Sequence, residues 1–465
     1  MKWRKRRIKN LNDSGIPTFK RIRIILLIIG FAGTIYGISP LPEKEGTDVT
    51  VAKKEHAPRA ALTDSVGSQL SFGIDSFCRI TDPAHSLDVF LEGLDGLLSG
   101  KDTVVKIVHL GDSHVQAGFY SGQVMHLLQA AFGNAGRGWI APLKLAKINE
   151  PKDYRITSST VKDWTVGRCV QKEPGCAWGL GGIGIQPNSE TVDFSISITP
   201  VRGAGYAFNE VLLFRDEKAK PLLPVEDNAG WVQTAQGMAP DVPDVAVDTF
   251  RMAFTVDSLH LYSAVRKDAE PAERNSAGCY YGFSLTNGEP GILYHAIGQN
   301  GAMFVNYTNR EYLRQLSLLK PSLLIVTLGT NEAFSSGNFR VPEFVSQVDD
   351  FVRLVGEYLP STAILLTTPA ESFRRTRNGY ERNVNISKIA NAITAYAEEK
   401  GIACFDLYHA TGGLNSCRKW QKEKLLGRDR VHFSVEGYYE QGKLLYKALV
   451  RLKMNQSNTT AGEPV

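Results

Sequence analysis

The sequence lacks several features that would assign it to a familiar class of protein. It has no Cys-x-x-Cys pair and no Cys/His spacing of the kind that binds zinc. Its 465 residues contain no internal repeat and no low-complexity tract, and no extended apolar segment of the kind that forms a lipase lid lies near the motifs described below. What remains is an ordinary globular composition, 43% hydrophobic and 22% charged.

The body of the chain also lacks a net positive charge. The formal net charge is +5, but the first 23 residues alone carry nine Lys and Arg and a single acidic residue, Asp13. The remainder is slightly acidic, so the bulk charge gives no support to a nucleic-acid partner.

A long uninterrupted apolar run is missing as well, although a shorter one follows the basic segment. Ile24–Ile38 spans 15 residues, whereas an unaided bilayer crossing needs about 20. Because Arg23 can snorkel and the residues up to Leu41 can lie at the interface, 22–41 is predicted to be a transmembrane signal anchor. A cleaved signal peptide, for which Tyr36–Ser39 is a poor cleavage site, and a buried helix are the alternatives. The basic flank predicts single-pass insertion in the inner (cytoplasmic) membrane, with the body on the periplasmic or extracellular side.

Six cysteines fit an oxidising compartment without requiring one. Cys169 with Cys176, and Cys404 with Cys417, are close enough in sequence to close short loops. Free buried thiols explain the same residues equally well.

Five short apolar runs predict buried strands, at 104–110, 291–297, 322–328, 363–368 and 402–407. Amphipathic patterns between and after them predict helices, at 117–132, 307–319, 341–358, 381–400 and 436–453. Strands that are apolar throughout and alternate with helices indicate a parallel sheet covered on both faces. The predicted fold is therefore α/β, with a flavodoxin-like core built on a five-stranded parallel sheet.

The interval between the first and second strands has a different pattern. It carries short alternating runs such as Val192–Ile198, punctuated by Gly, Pro and Asn, which predict an inserted β-sandwich-like module. The predicted organisation is a basic cytoplasmic segment at 1–21, the anchor at 22–41, a linker at 42–85, the core at 86–144 and 289–453, the insert at 145–288 and a disordered tail at 454–465.

The first chemical signal is Gly111-Asp112-Ser113-His114, directly after the first strand. Ligands bind beyond the carboxyl ends of the strands in such a sheet. A serine at this place, opening a helix, has an exposed hydroxyl and an amide N–H free to stabilise an oxyanion. Ser113 is therefore the candidate nucleophile, although Ser and Asp are also common helix caps.

The second signal is Asp429-Arg430-Val431-His432, just before the last helix. A carboxylate three residues before a histidine can fix its tautomer and stabilise its cation. His432 is therefore the candidate base and Asp429 its orienting partner. Both motifs are expected to open onto the same edge of the sheet.

Two further turns supply candidate oxyanion donors. Gly329-Thr330-Asn331-Glu332 follows the third strand, which places the Asn331 amide beside Ser113 if the strands are neighbours. Gly298–Ala302 follows the second strand, and the Gly301 N–H is a second donor. Asn and Gly are common in any turn, so each signal is weak alone.

As a set, these four blocks resemble the SGNH (GDSL-type) hydrolase family: Ser113 in G-D-S, Gly301, Asn331 in G-T-N and His432 in D-x-x-H match in order. The resemblance covers about 86–140 and 289–453, roughly half the chain. The sequence departs from the family at His114, where the family name has Leu, and at Glu332, where Asp often follows the Asn.

The G-D-S-H tetrapeptide, the G-x-N-G-A block and the β-rich insert are similar to bacterial peptidoglycan O-acetylesterases, in which the insert resembles a carbohydrate-binding module. The resemblance implies a serine esterase that removes acetyl from the 6-hydroxyl of N-acetylmuramic acid, with no cofactor or metal. An esterase or acetyltransferase of another acetylated polysaccharide is one alternative. A non-catalytic glycan-binding protein is the other, and the four intact blocks argue against it.

Other residues invite a functional interpretation. His109 lies on a predicted buried strand and is expected to be a packed, hydrogen-bonded histidine. His114 is expected to line the pocket. Trp139, Trp164, Trp178 and Trp231 are candidates for stacking on sugar rings, although large aromatics more often belong to the core.

Overall fold

The structure is a computed structural model that describes residues 72–201, 205–225, 230–239, 241–263, 278–334 and 339–460. All of these lie in one compact unit, Glu55–Val465. The predicted basic segment, the predicted anchor at 22–41 and most of the predicted linker lie outside the described residues. Across the described ranges, no helix combines the length and the apolar character that a bilayer crossing needs.

The helices of the described residues are α1 Asp88–Leu98, α2 Ser113–Gln116, α3 Tyr120–Phe132, α4 Phe304–Tyr307, α5 Arg310–Leu316, α6 Thr330–Ala333, α7 Val341–Tyr358, α8 Val384–Lys400, α9 Leu407–Ala410, α10 Ser416–Lys422 and α11 Val435–Thr460. The strands are β1 Ile80–Thr81, β2 Val104–Gly111, β3 Gly138–Ile140, β4 Tyr154–Thr157, β5 Trp164–Arg168, β6 Ile183–Pro187, β7 Asp193–Ile198, β8 Phe208–Asp216, β9 Leu223–Pro224, β10 Trp231–Ala235, β11 Val245–Val256, β12 Ser258–Tyr262, β13 Tyr280–Thr286, β14 Gly291–Gly298, β15 Leu323–Thr327, β16 Ala363–Thr367, β17 Phe373–Thr376, β18 Gly379–Arg382 and β19 Ala403–Phe405.

The core is a sheet in the order β1-β19-β16-β15-β2-β14. The five strands predicted from the apolar runs are all present, and they pair in parallel with one another. Every residue of β15 and of β19 is buried, as expected for strands covered on both faces. Numbered along the chain, the five strands have the spatial order 2-1-3-4-5, which is the flavodoxin-like order.

The register of the central strands sets the level of the functional loops. Gly111 at the end of β2 pairs with Gly298 at the end of β14, and on its other side with Thr327 at the end of β15. Three strands therefore stop at one level, and the loops that follow them open on the same edge of the sheet.

A sixth strand, β1, lies inside the segment predicted to be a linker. It pairs antiparallel with β19, Ile80 opposite Phe405. Ile80 and Cys78 are buried, and Arg451 of α11 donates to the carbonyl of Cys78 at 3.1 Å. Two residues are too few to produce a recognisable strand pattern, so tertiary pairing rather than local sequence creates this strand.

Some helices differ from the sequence prediction. The helix predicted at 117–132 is split between α2 and α3 at Gly118, which has φ +72° and lies where a Cβ would come 2.7 Å from the Pro151 Cβ. The last helix continues to Thr460, into the predicted disordered tail, and Lys453 near the start of this extension forms a 2.7 Å ion pair with Asp95 of α1.

The interval between β2 and β14 forms two antiparallel sheets. One has the order β10-β11-β8-β13-β6-β5 with β3 beside β13, and the other has the order β4-β7-β12-β9. Phe194 of β7 packs its ring against Tyr280 and Phe283 of β13 at 5.1 and 5.6 Å, and stacks on Trp164 of β5 at 5.5 Å. The two sheets therefore pack face to face as a sandwich.

The six cysteines are free thiols in this structure. The Cys176 thiol donates to the carbonyl of Thr165 at 3.4 Å. Cys417 donates to the carbonyl of Glu371 at 2.7 Å. Neither of the short-loop disulfides considered from the sequence is present.

Candidate active site

Ser113 opens α2 directly after β2. Asp112 caps this helix, its carboxylate accepting from the His114 N–H at 2.9 Å. The cap fixes the turn that lifts Ser113 off the end of the strand, and the first N–H groups of a helix have no intrahelical acceptor. Both the hydroxyl and the amide of Ser113 therefore face the carboxyl edge of the sheet.

His432 reaches Ser113 from the loop before α11. The Ser113 Oγ lies 2.8 Å from the His432 Nε2, and the His432 Nδ1 lies 2.6 Å from the Asp429 Oδ2. Asp429 also accepts from the N–H groups of Val431 and His432, each at 3.0 Å. The structure thus brings the three predicted residues into one hydrogen-bonded chain.

The charge of Asp429 is maintained in this arrangement. Partial burial acts to raise the pKa of its carboxyl, but the hydrogen bonds from the His432 ring and from the two backbone N–H groups outweigh that effect. The pKa of Asp429 is therefore held below its usual value. An ionised carboxylate opposite Nδ1 favours the tautomer in which Nε2 can accept a proton from the serine.

The loop that carries the base is braced by a hairpin that the sequence did not suggest. Arg430 has φ +59°, an uncommon conformation for a non-glycine residue. Its guanidinium lies over the ring of Tyr380 at 4.3 Å and near that of Phe373 at 5.6 Å, on β18 and β17 respectively. The Phe373 N–H donates to the Arg430 carbonyl at 2.9 Å, which fixes the backbone between Asp429 and His432.

The His114 side chain lies beside the ring of His432. Its ring lies 5.1 Å from the His432 ring, and its Nδ1 lies 2.9 Å from the hydroxyl of Tyr438 on α11. Burial lowers the pKa of His114 to about 3, so its ring is neutral at physiological pH. The role of Tyr438 could not be found from the sequence, since a tyrosine on an amphipathic helix carries no distinguishing signal.

Gly301 lies on the loop after β14. It has φ +86°, and no heavy atom comes within 4 Å of the position that a Cβ would occupy. Glycine is therefore required by the backbone conformation rather than by crowding. Among the described residues, no acceptor takes a hydrogen bond from its N–H.

Asn331 lies on α6, directly after β15 and its loop. Its side-chain amide donates to the Asp112 Oδ2 at 3.2 Å and to the Ala302 carbonyl at 2.9 Å. These bonds place it between the Ser113 turn and the Gly301 loop. The structure therefore collects all the predicted site residues at one edge of the sheet.

Two carboxylates lie beneath this edge, and the sequence did not indicate a role for either. Asp112 is 1% exposed and Glu332 is 3% exposed. Burial raises the pKa of each to about 7. Glu332 accepts from the Phe304 N–H at 2.8 Å, and this fixes the start of α4 behind the Gly301 loop.

A cleft lies between the core and the insert, along α3 and the Gly118–Phe119 turn that precedes it. Its lining includes Phe119, Tyr439 and Val435 of the core together with Lys152 and Tyr206 of the insert. Phe119 stacks on Tyr438 at 6.4 Å. Tyr438 in turn contacts His114, so aromatic side chains connect the lining of the cleft to the residue that follows the nucleophile.

His109 is fully buried and makes the two hydrogen bonds expected of a packed histidine, to the Tyr294 hydroxyl at 2.7 Å and to the Thr327 hydroxyl at 2.8 Å. Trp139 is buried, and Trp164 and Trp178 are partly buried against Phe194 and Tyr312. The side chain of Trp231 lies outside the described part of the structure. Within the described ranges, no group of three His, Cys, Asp or Glu side chains is arranged to hold a metal ion.

Comparison with known proteins agrees with this geometry. Residues 272–439 match the model of the GDSL-like Lipase/Acylhydrolase family. The match includes Gly301, Asn331 and His432 but not Ser113, because the insert separates the first block from the others. No curated protein has a matching sequence.

Among solved structures, a peptidoglycan O-acetylesterase matches with a TM-score of 0.64 at 20% identity, covering 81% of this chain and 99% of the other. A lipase/acylhydrolase from Enterococcus faecalis matches at 16% identity with a TM-score of 0.28, covering 35% of this chain and 77% of the other. A carbohydrate esterase family 3 protein from Talaromyces cellulolyticus matches at 15% identity with a TM-score of 0.28, covering 37% and 76%.

The first of these similarities extends over both the core and the insert, and it establishes the shared fold. The family match covers the blocks around the oxyanion donors and the base. The predicted resemblance to the SGNH (GDSL-type) hydrolases and the predicted class of enzyme are thereby confirmed: residues 272–439 carry the family match, and the protein is a hydrolase of ester bonds.

Proposed function

We propose that this protein is a serine esterase that removes O-acetyl groups from a cell-envelope glycan, with the 6-O-acetyl group of N-acetylmuramic acid in peptidoglycan as the substrate. The observation that carries the proposal is the hydrogen-bonded chain from Ser113 through His432 to Asp429. It lies at the same edge of the sheet as the Gly301 N–H and the Asn331 amide.

The mechanism follows from the placement of these groups. His432 accepts the proton through Nε2 as the Ser113 Oγ attacks the ester carbonyl, and Asp429 stabilises the imidazolium that forms. The N–H groups of Ser113 and Gly301 and the Asn331 amide hold the oxyanion. As the bond between the acetyl carbon and the sugar oxygen breaks, His432 gives the proton to that oxygen, which leaves as a hydroxyl. His432 then takes a proton from the water that hydrolyses the acetyl-serine and returns it to the Ser113 Oγ. No step uses a metal or an organic cofactor.

The substrate assignment draws on the cleft between the core and the insert. Phe119, Tyr206 and Tyr439 line this cleft and offer aromatic surface on which a sugar ring of the polymer can rest. The protein with the most extensive fold similarity above is a peptidoglycan O-acetylesterase. Both points favour an acetylated polysaccharide over a lipid.

The proposed location is the inner membrane, with 22–41 as a single-pass anchor and the catalytic body on the periplasmic or extracellular side. The support is the basic segment followed by the apolar run of Ile24–Ile38. The test is the N-terminal sequence and membrane fractionation of the mature protein. A mature chain that starts near residue 40 and appears in the soluble fraction would contradict the anchor.

The activity is tested by measuring acetate release from O-acetylated peptidoglycan and from acetylated xylan, with the full chain in detergent and with Ser113→Ala as the control. We expect release from peptidoglycan by the wild type alone. Faster release from xylan would favour another acetylated polysaccharide. Transfer of acetyl to an added sugar acceptor would identify a transferase. If the wild type neither releases acetate nor is labelled at Ser113 by a fluorophosphonate, the result would favour a non-catalytic glycan-binding protein.

A further inference from the structure

An arginine of the insert contacts the loop of the core that carries Gly301. Arg168 ends β5, a strand of the insert, and is only partly exposed. Its Nε donates to the Gln299 Oε1 at 3.1 Å, and its Nη2 donates to the Asn300 carbonyl at 2.9 Å. Both acceptors belong to the loop of the core that carries Gly301.

The second of these bonds is made to the peptide group that contains the oxyanion donor. The Asn300 carbonyl and the Gly301 N–H are the two ends of one planar peptide unit. A guanidinium that holds the carbonyl end therefore fixes the direction of the N–H at the other end. A cation on the carbonyl oxygen also polarises the peptide, which makes its N–H a stronger donor.

Other bonds hold the rest of this loop, so the orientation of the peptide depends on Arg168. The Asn300 N–H donates to the Gln116 Oε1 at 2.8 Å, and the Gln299 Nε2 donates to the Gly181 carbonyl of the insert at 3.0 Å. Gly301 itself has φ +86°, and no heavy atom lies within 4 Å of the position that a Cβ would occupy, so no side-chain packing on that face supports the peptide. Side-chain hydrogen bonds therefore hold the loop next to this peptide, and the hydrogen bond to the Asn300 carbonyl itself comes from Arg168 of the insert.

We propose that Arg168 is a positioning residue of the ester hydrolysis: through the Asn300 carbonyl it orients and polarises the Gly301 N–H toward the oxyanion. The inference rests on the proposed function. It gives the insert a part in catalysis that does not depend on its binding a glycan. Arg168 acts in the transition state, where negative charge develops, and contributes little to binding of the neutral ester.

The test is steady-state hydrolysis of p-nitrophenyl acetate by the full chain carrying Arg168→Gln, Arg168→Lys or Arg251→Gln. Removing a whole oxyanion donor typically costs about 10²–10³ in kcat, so loss of its orientation is expected to cost roughly tenfold. KM should stay within twofold. The kcat of Arg168→Lys should lie between those of the wild type and Arg168→Gln, because one ammonium group cannot make both hydrogen bonds of the guanidinium. Arg251→Gln removes an insert arginine paired with Glu210 on the neighbouring strand, and should match the wild type.

A second readout separates orientation from a general loss of structure. Phenylboronic acid forms a tetrahedral anionic adduct with a serine nucleophile, so its Ki reports on the oxyanion donors. We expect Arg168→Gln to raise this Ki by about the factor by which kcat falls, roughly tenfold, while the Tm stays near that of the wild type. An unchanged kcat and Ki in Arg168→Gln, or a raised KM with normal kcat, would overturn the proposal. A wild type without esterase activity would instead overturn the proposed function.

Discussion

The side-chain amide of Asn331 donates to a buried oxygen of Asp112, at 3.2 Å, and at the same time to the Ala302 carbonyl at 2.9 Å. An amide nitrogen has two hydrogens, and both are already engaged. Donation to an oxyanion must therefore share one of them. The bond to Asp112 is the longer of the two, which makes it the one that can most easily be shared. Asp112 thus links the turn of the nucleophile to an oxyanion donor.

This link makes Asp112→Asn an informative variant. An asparagine retains the size of the side chain, but one of its two polar ends is a donor that would face either the His114 N–H or the Asn331 amide. We expect kcat to fall by roughly tenfold, less than the about 10²–10³ expected for Asn331→Ala, which removes a donor outright. Steady-state kinetics with p-nitrophenyl acetate measures both. A larger fall in kcat in Asp112→Asn than in Asn331→Ala would show that Asp112 does more than orient the Asn331 amide.

Asp429 is expected to contribute less than the two residues that it supports. Its side chain is 54% exposed, and that of His432 is 42% exposed, so water can partly replace the carboxylate beside the imidazolium. We predict that Asp429→Asn retains at least about ten times more activity than Ser113→Ala, which leaves only the oxyanion donors and binding. Acetate release under identical conditions measures the ratio. Equal losses in the two variants would show that the carboxylate is indispensable.

The comparison of sequence and structure shows which interactions can be inferred locally. The apolar runs predicted the five core strands because a strand buried on both faces must be apolar throughout. The contact between Ser113 and His432 could be predicted because each residue follows or precedes a predicted element at the edge where loops meet. Three other features could not be predicted, since each depends on a contact between residues distant in the chain. They are the contact of Arg430 with Tyr380, the hydrogen bond from Arg168 to the Asn300 carbonyl, and the short strand β1.

The contact of Arg430 with the hairpin makes a separate prediction. Arg430→Ala removes the guanidinium that lies over Tyr380 but leaves the strained backbone, which a side chain other than glycine does not relieve. A partly exposed cation–π contact of this kind is worth about 1 kcal/mol. We expect a small fall in Tm and a several-fold fall in kcat/KM, because the loop between Asp429 and His432 becomes less well fixed. Tyr380→Phe, which keeps the aromatic face, should behave as the wild type, and a loss of activity in that control would argue against a cation–π role.

The buried carboxyl of Glu332 predicts how stability depends on pH. Burial raises its pKa to about 7, above the ordinary value of 4.5, so the folded state retains a proton that the unfolded state has already lost between these values. Stability should therefore decline as the pH rises from about 4.5 to about 7, with little further loss from this group above that range. One unit of pKa corresponds to about 1.4 kcal/mol, so the decline from this group is at most a few kcal/mol.

Glu332→Gln removes this dependence while keeping an oxygen that can accept from the Phe304 N–H. We expect the variant to lose less stability than the wild type between pH 4.5 and pH 8, as measured by urea unfolding at several pH values. Asp112, whose pKa is also raised to about 7 by burial, should still contribute its own decline, so the curve flattens without becoming level. Asp350→Asn, on the exposed face of α7, is the matched control and should follow the wild type. If Glu332→Gln and the wild type lose stability in parallel, the carboxyl is already ionised in the folded protein, and the site beneath the oxyanion donors then holds a buried negative charge.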